Sequence, residues 1–145
     1  MKKNFLLATF FFMVFYSVSF GQNSLTDLLT KQFHQAWNNE NVNEMVSLLQ
    51  ANAFFKSPYQ LQYGREKMAA TVLKRNPPVY KIVSTKELHS YVEDRLAWAI
   101  GEFTCDIYDE SGNKTNEQLE GTFTYVFTKR NKDDWKVQML IYHEE

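Results

Sequence analysis

Few side chains in this sequence titrate near neutral pH, and they stand far apart. Histidines occur at His34, His89 and His143 with no HxH or HxxxH spacing. Two imidazoles are therefore not set on one face of a local element, and no metal site is expected. His34 falls on the flank of an apolar helical stripe, where it should be solvated, and His89 lies near the end of a hairpin. His143 is better placed. It continues the alternating series Trp135, Val137, Met139 and Ile141, which would aim it inward at the mouth of any cavity beneath the strand. An imidazole there could work as a general acid or base, although a structural histidine is the commoner outcome.

The acid that could partner His143 is Glu102, and its direction depends on a change of parity. Leu96, Trp98 and Ile100 share one parity, Phe103, Cys105 and Ile107 the other, and Gly101 lies at the change. A bulge at Gly101, the favoured reading, would turn Glu102 to water as a surface acid. An unbroken register would instead point it into an apolar interior, where desolvation raises a carboxyl pKa and makes a candidate acid or base. Cys105 is the only cysteine, so an intrachain disulfide is excluded, and with no histidine beside it the thiol reads as a small packed side chain.

The elements that must position these groups fall into two blocks. Ser24 is a plausible N-cap for a first helix in which Leu25, Leu28, Leu29, Phe33, Ala36 and Trp37 recur at helical spacing. A second helix opens at Asn41 with Glu44 three residues on and a stripe of Val42, Met45, Val46 and Leu49. The third runs from about Arg65 to Arg75, with Met68, Ala69, Val72 and Leu73 inward, until Asn76-Pro77-Pro78 stops it. Beyond Pro78 the period changes to two, and the polar segments at Glu93-Asp94, Asp109 to Asn113 and Asn131 to Asp134 cut the remainder into four strands. Connections this short make neighbours antiparallel. The third of these strands alternates cleanly, with Leu119, Gly121, Phe123, Tyr125 and Phe127 on one face. That face must be covered, and the three helices are the available cover, which gives an α+β domain of N-terminal helices on a mainly antiparallel sheet.

The N-terminus carries the three parts of a secretory signal. Lys2 and Lys3 precede an apolar run from Phe5 to Phe20, and Ser19 and Gly21 place small residues before a cut that would leave Gln22 as the new N-terminus. About 16 apolar residues fall short of the roughly 20 needed to span a bilayer, and no basic stop-transfer cluster follows, so removal is expected rather than anchoring. The domains are thus a signal over 1–21 and a single domain over 22–145, exported to the periplasm or secreted, with no membrane association after cleavage. Removing Lys2 and Lys3 leaves 14 basic against 17 acidic residues, about −3. A weakly acidic surface argues against nucleic acid as a partner, since that demands a clustered positive face. Without disulfides stability must come from the core, and a chain of this size buries roughly two-thirds of its unfolded surface.

In this order of elements the chain resembles the nuclear-transport-factor-two-like or SnoaL-like domains, which include ketosteroid isomerase. The resemblance rests on Phe33-His34-Gln35-Ala36-Trp37-Asn38-Asn39-Glu40 ending the first helix and on Asn41-Val42-Asn43 opening the second. It continues through Phe54-Phe55-Lys56-Ser57-Pro58, Gly64-Arg65-Glu66 at the third helix and Trp135-Lys136-Val137 at the last strand. It implies a cone-shaped α+β barrel, a strongly curved sheet wrapped against helices with a pocket at its wide end, and often a homodimer through the sheet. Activity does not follow, because the family holds isomerases, dehydratases, cyclases and domains that only bind or assemble. Where the isomerase pattern has its proton-abstracting carboxylate this chain has Ser57; its oxyanion tyrosine position reads as Phe33, and its buried acid as Thr124. A serine hydroxyl is no general base at neutral pH, so the steroid isomerase reaction is not expected.

What remains is an aromatic interior. Phe33, Trp37, Phe55, Ser57, Tyr59, Trp98, Phe123, Tyr125 and His143 are the residues expected around a pocket, with Trp37 and Tyr59 the least core-like because they sit at a helix end and in a loop. The leading expectation is an exported, dimeric domain that binds a small, largely apolar molecule and needs no cofactor. The alternatives are a lyase, isomerase or cyclase using His143 with Glu102, and a non-catalytic assembly module.

Overall fold

A computed structural model describes residues 24–73 and 78–145 of the chain. The secretory signal expected over residues 1–21, and all but the last residue of the Asn76-Pro77-Pro78 stop, lie outside the described residues. In chain order the elements are α1 (Leu25–Asn38), α2 (Val42–Leu48), β1 (Leu49–Lys56), β2 (Leu61–Tyr63), α3 (Arg65–Leu73), β3 (Val79–Val92), β4 (Leu96–Tyr108), β5 (Lys114–Lys129) and β6 (Trp135–Glu144). The strands form one curved, six-stranded sheet in the order β2-β1-β6-β5-β4-β3. All neighbours are antiparallel except β1 and β6.

β1 and β2 lie outside the four strands read from the sequence. Residues 49–56 show no period of two, because the register of β1 against β6 jumps between Leu49 and Phe54. Their burial runs buried, buried, exposed, exposed, buried rather than alternating. A parallel partner more than eighty residues downstream leaves no turn signal to mark it.

The helices begin as their caps demand. Ser24 Oγ accepts from the Asp27 amide at 3.0 Å, and Asn41 Oδ1 accepts from the Glu44 amide at 3.2 Å. The buried face of α1, however, is turned one position from the expected stripe. It consists of Thr26, Thr30, Phe33, His34 and Ala36, while Leu28 is 52 % exposed. The rotation is held by polar contacts that a hydrophobic count cannot weigh. The Glu87 carboxylate on β3 accepts from Thr26 Oγ1 at 2.7 Å and from Ser24 Oγ at 2.9 Å, which docks the first turn of the helix on the sheet.

The register at Gly101 is not broken: β4 pairs with β5 continuously from Leu96–Thr128 to Asp106–Gln118. The face that packs under the helices is nevertheless Ala97, Ala99, Gly101, Phe103 and Cys105. Small residues are needed there because α1 and the side chain of Phe123 come close; a Cβ on Gly101 would sit 2.5 Å from Phe123 Cζ. Leu96, Trp98, Ile100 and Glu102 therefore share the open face. The bulges occur in β3, between Ile82 and Ser84 and between Glu87 and His89.

A bulge also corrects the last strand. Phe127 pairs with Val137 but Val126 with Met139, so Gln138 is the extra residue and the parity flips beyond it. The concave series is Val137, Leu140, Tyr142 and Glu144 rather than one ending in Ile141 and His143.

Candidate functional site

Between the C-terminal half of α1 and the concave face of the sheet lies a mostly apolar cavity of about 150 Å³. Trp37, Phe55, Tyr80, Ile82, Phe103, Cys105, Leu119 and Tyr142 form its walls, and Ser57, Pro58, Tyr59, Gln60 and Glu144 its mouth. The aromatic rings support one another: Trp37 lies 6.2 Å from Phe55, Phe55 6.2 Å from Tyr142, and Tyr142 5.1 Å edge-on from Phe103. Asn38, the last residue of α1, fixes the opposite wall. Its amide donates to the Ile82 carbonyl at 2.6 Å and its Oδ1 accepts from the Ile82 amide at 2.9 Å, replacing strand pairing beside the β3 bulge.

The mouth is a tight turn between β1 and β2, closed by the Ser57 amide donating to the Gln60 carbonyl at 2.9 Å. Tyr59, at its tip, is 77 % exposed and donates its hydroxyl to Glu144 Oε2 at 2.6 Å. That bond, and then the carboxylate's charge, raise the Tyr59 pKa above the ordinary phenol value.

Behind the pocket wall sits a polar cluster in an apolar setting. His34 Nε2 is 2.9 Å from the Tyr142 hydroxyl and 2.8 Å from that of Tyr125, and the two hydroxyls are 2.8 Å apart. Burial lowers the His34 pKa to about 3, so the imidazole is neutral at physiological pH. Burial, followed by the neighbouring Tyr142, pushes the Tyr125 phenol well above its usual value. The expectation that His34 is solvated is thus corrected: it is a buried anchor that orients Tyr142, whose ring lines the cavity. A half-polar helical stripe gave no hydrophobic signal for this.

The other expected site residues separate into three groups. Trp37, Phe55, Ser57 and Tyr59 do surround the cavity. Phe33, Phe123 and Tyr125 face the same side of the sheet but lie in the solid core behind it. Trp98 and His143 are corrected outright. Trp98 stacks on Tyr91 on the open face, and His143 is exposed on that face beyond the Gln138 bulge. Glu102 is also on the open face and exposed, 3.6 Å from Lys86 Nζ. Thr122 pairs with both Glu102 and His143, so the two would-be catalytic groups are separated by a whole strand, roughly 10 Å, and neither reaches the pocket. Thr124 faces the same way; the concave residues beside it are Phe123 and Tyr125. Sequence reasoning missed Tyr142 and Glu144, one bulge out of phase, Tyr80 and Ile82 on a doubly bulged strand, and also Pro58, Gln60, Phe103, Cys105 and Leu119. Among the described residues no cluster of His, Cys, Asp or Glu could hold a metal ion, and no helix is long and apolar enough to cross a membrane.

No family model and no curated protein matches the chain in sequence. Solved structures match its shape. A putative calcium/calmodulin dependent protein kinase II association domain from Xanthomonas campestris superposes with TM-score 0.67 at 16 % identity, covering 86 % of this chain and 89 % of that one. A nuclear transport factor 2 (NTF2-like) superfamily protein from Salmonella enterica gives TM-score 0.65 at 13 % identity, over 79 % and 84 %. A ketosteroid isomerase-like protein from Erwinia carotovora gives 0.63 at 10 %, over 85 % and 98 %. At these identities the likeness carries the fold.

Proposed function

We propose that this chain, whose fold is that of the NTF2-like superfamily, holds a small, largely apolar molecule in the cavity between α1 and the concave sheet face. The observation that carries this reading is the hollow itself: a pocket of about 150 Å³ walled by aromatic rings. Apolar space of that volume accepts a molecule of about benzene size. The enzyme alternative is weakened by the same geometry, since Glu102 and His143 lie on the other face of the sheet and Ser57 stands at the pocket mouth.

A thermal-shift screen with toluene and 2-phenylethanol tests the reading, because a ligand that binds only the folded state raises the melting temperature by mass action. Trp37→Ala should weaken binding about tenfold through lost apolar contact, while Ser57→Ala should change it little. If no single-ring compound stabilises the protein, the reading fails.

Two expectations travel with this proposal. The chain would be exported, on the strength of the signal-like residues 1–21, and the intact mass of protein recovered outside the cytoplasm should correspond to a start at Gln22. It would also pair as a homodimer through the open face. Register places Tyr63, Phe54, Met139, Val126, Trp98 and Tyr91 in one row across all six strands, and such an apolar row on an uncovered sheet favours self-association. Sedimentation showing only monomer at tens of micromolar, an order of magnitude set by typical affinities, would count against it.

A further inference from the structure

The cavity described above is not electrically neutral. Glu144 is the only ionisable acid among its described lining residues, and no lysine, arginine or histidine lines it. The concave parity set by the Gln138 bulge brings this half-buried carboxylate to the rim. Among the described residues it makes no ion pair, and its one hydrogen bond comes from Tyr59. A carboxylate can accept about four hydrogen bonds, so most of its capacity is left unused by the described residues. The surrounding surface is aromatic, and ring faces attract cations through their quadrupole.

We propose that the molecule held in this cavity is a cationic amphiphile of single-ring size: an aryl or alkyl amine whose apolar body sits among Phe55, Phe103 and Tyr142 and whose ammonium group meets Glu144 beside the Tyr59 ring. The inference rests on the binding reading given above and narrows it to a charge class. The volume of about 150 Å³ sets the body at about one six-membered ring. An anion of the same shape would meet the Glu144 carboxylate with no described cation to receive it. A neutral alcohol would find the same apolar walls and could donate one hydrogen bond to the carboxylate, but it brings no opposite charge to it.

The test is a matched set of probes titrated by calorimetry: phenethylamine, 2-phenylethanol and 3-phenylpropanoate. Phenethylamine should bind up to about tenfold more tightly than 2-phenylethanol, the gain of pairing an ammonium rather than a neutral hydroxyl with the carboxylate, and 3-phenylpropanoate most weakly. Glu144→Gln should remove the preference for the amine, weakening phenethylamine far more than 2-phenylethanol. Tyr59→Phe, which keeps the ring and the carboxylate, should retain the preference. Equal affinity for amine and alcohol, or an amine preference that survives Glu144→Gln, overturns the charge assignment while leaving the apolar pocket intact. Tighter binding of the carboxylate overturns it as well. Failure of all three probes to bind overturns the pocket reading and this inference with it.

Discussion

Mild acid should destabilise this protein through one residue. His34 is 5 % exposed, and burial lowers its pKa from 6.5 to about 3. The folded value lies below the unfolded one, so the neutral ring contributes its full stability above pH 6.5 and loses it as pH falls toward 3. Across that window the unfolded chain takes up a proton that the native state refuses, so stability falls with decreasing pH. At 1.36 kcal/mol per unit, the loss reaches about 2 kcal/mol by pH 5. This range sits above that of the docking carboxylate. Burial pushes the Glu87 pKa up, but hydrogen bonds from Ser90, Thr26 and Ser24 outweigh it and hold the group below its ordinary 4.5. Its contribution therefore disappears only in stronger acid. Urea unfolding followed by the fluorescence of Trp37, Trp98 and Trp135 at pH 7.5, 6 and 5 measures the effect. The His34→Gln variant should be less stable at pH 7.5, having disturbed the contact with Tyr125 and Tyr142, yet nearly flat from pH 7.5 to 5. A wild-type protein equally stable at pH 7.5 and 5, or a variant with the same slope, would refute the reasoning.

Two packing predictions follow from the same helix and the sheet beneath it. Thr30 Oγ1 is buried without a hydrogen-bond partner, so Thr30→Val, nearly the same shape, should stabilise the fold by about 1 kcal/mol and raise the melting temperature by about 4 °C; a lower melting temperature would show that the hydroxyl has a bonding role. Gly101→Ala should cost about 1–3 kcal/mol, because the new methyl would collide with the Phe123 ring and the Lys86 carbonyl, and a denaturation midpoint unmoved by the change would contradict the close approach.

The sequence was legible where one physical term dominated. Ser24 and Asn41 announce helix starts by local chemistry, and β5 alternates without interruption because one of its faces is solidly buried from Gly121 to Phe127. Reading failed where a single inserted residue changed the parity. The Gln138 bulge puts Tyr142 and Glu144 where Ile141 and His143 were expected, and with them the only carboxylate among the pocket's described lining residues. It also failed where both faces of a strand are apolar. In β4 the large side chains Leu96, Trp98 and Ile100 looked like the core, yet the core took Ala97, Ala99 and Gly101 because α1 and Phe123 leave little room. The burial of His34 depended on two tyrosines some ninety and one hundred residues away, a pairing that periodicity does not encode.

The cavity itself needs a reason, because an empty space in a core is costly. At about 24 cal/mol per Å³ of cavity, the observed volume of about 150 Å³ would cost on the order of 3–4 kcal/mol if fully enclosed, and less with its open mouth. A modest change could fill part of it. Cys105 is buried on the concave face at the cavity wall, beside Phe103, and Cys105→Leu would project two more methyl groups into the space. If the hollow is a binding site, this variant should gain stability of about 0.5–2 kcal/mol, as cavity-filling changes commonly do, while losing the thermal shift given by 2-phenylethanol. Paired measurements of melting temperature and ligand-induced shift on the same preparation decide the matter. A variant that is stabilised and still binds would place the ligand elsewhere, and one that is destabilised without any change in binding would mean that the Cys105 wall is already close-packed.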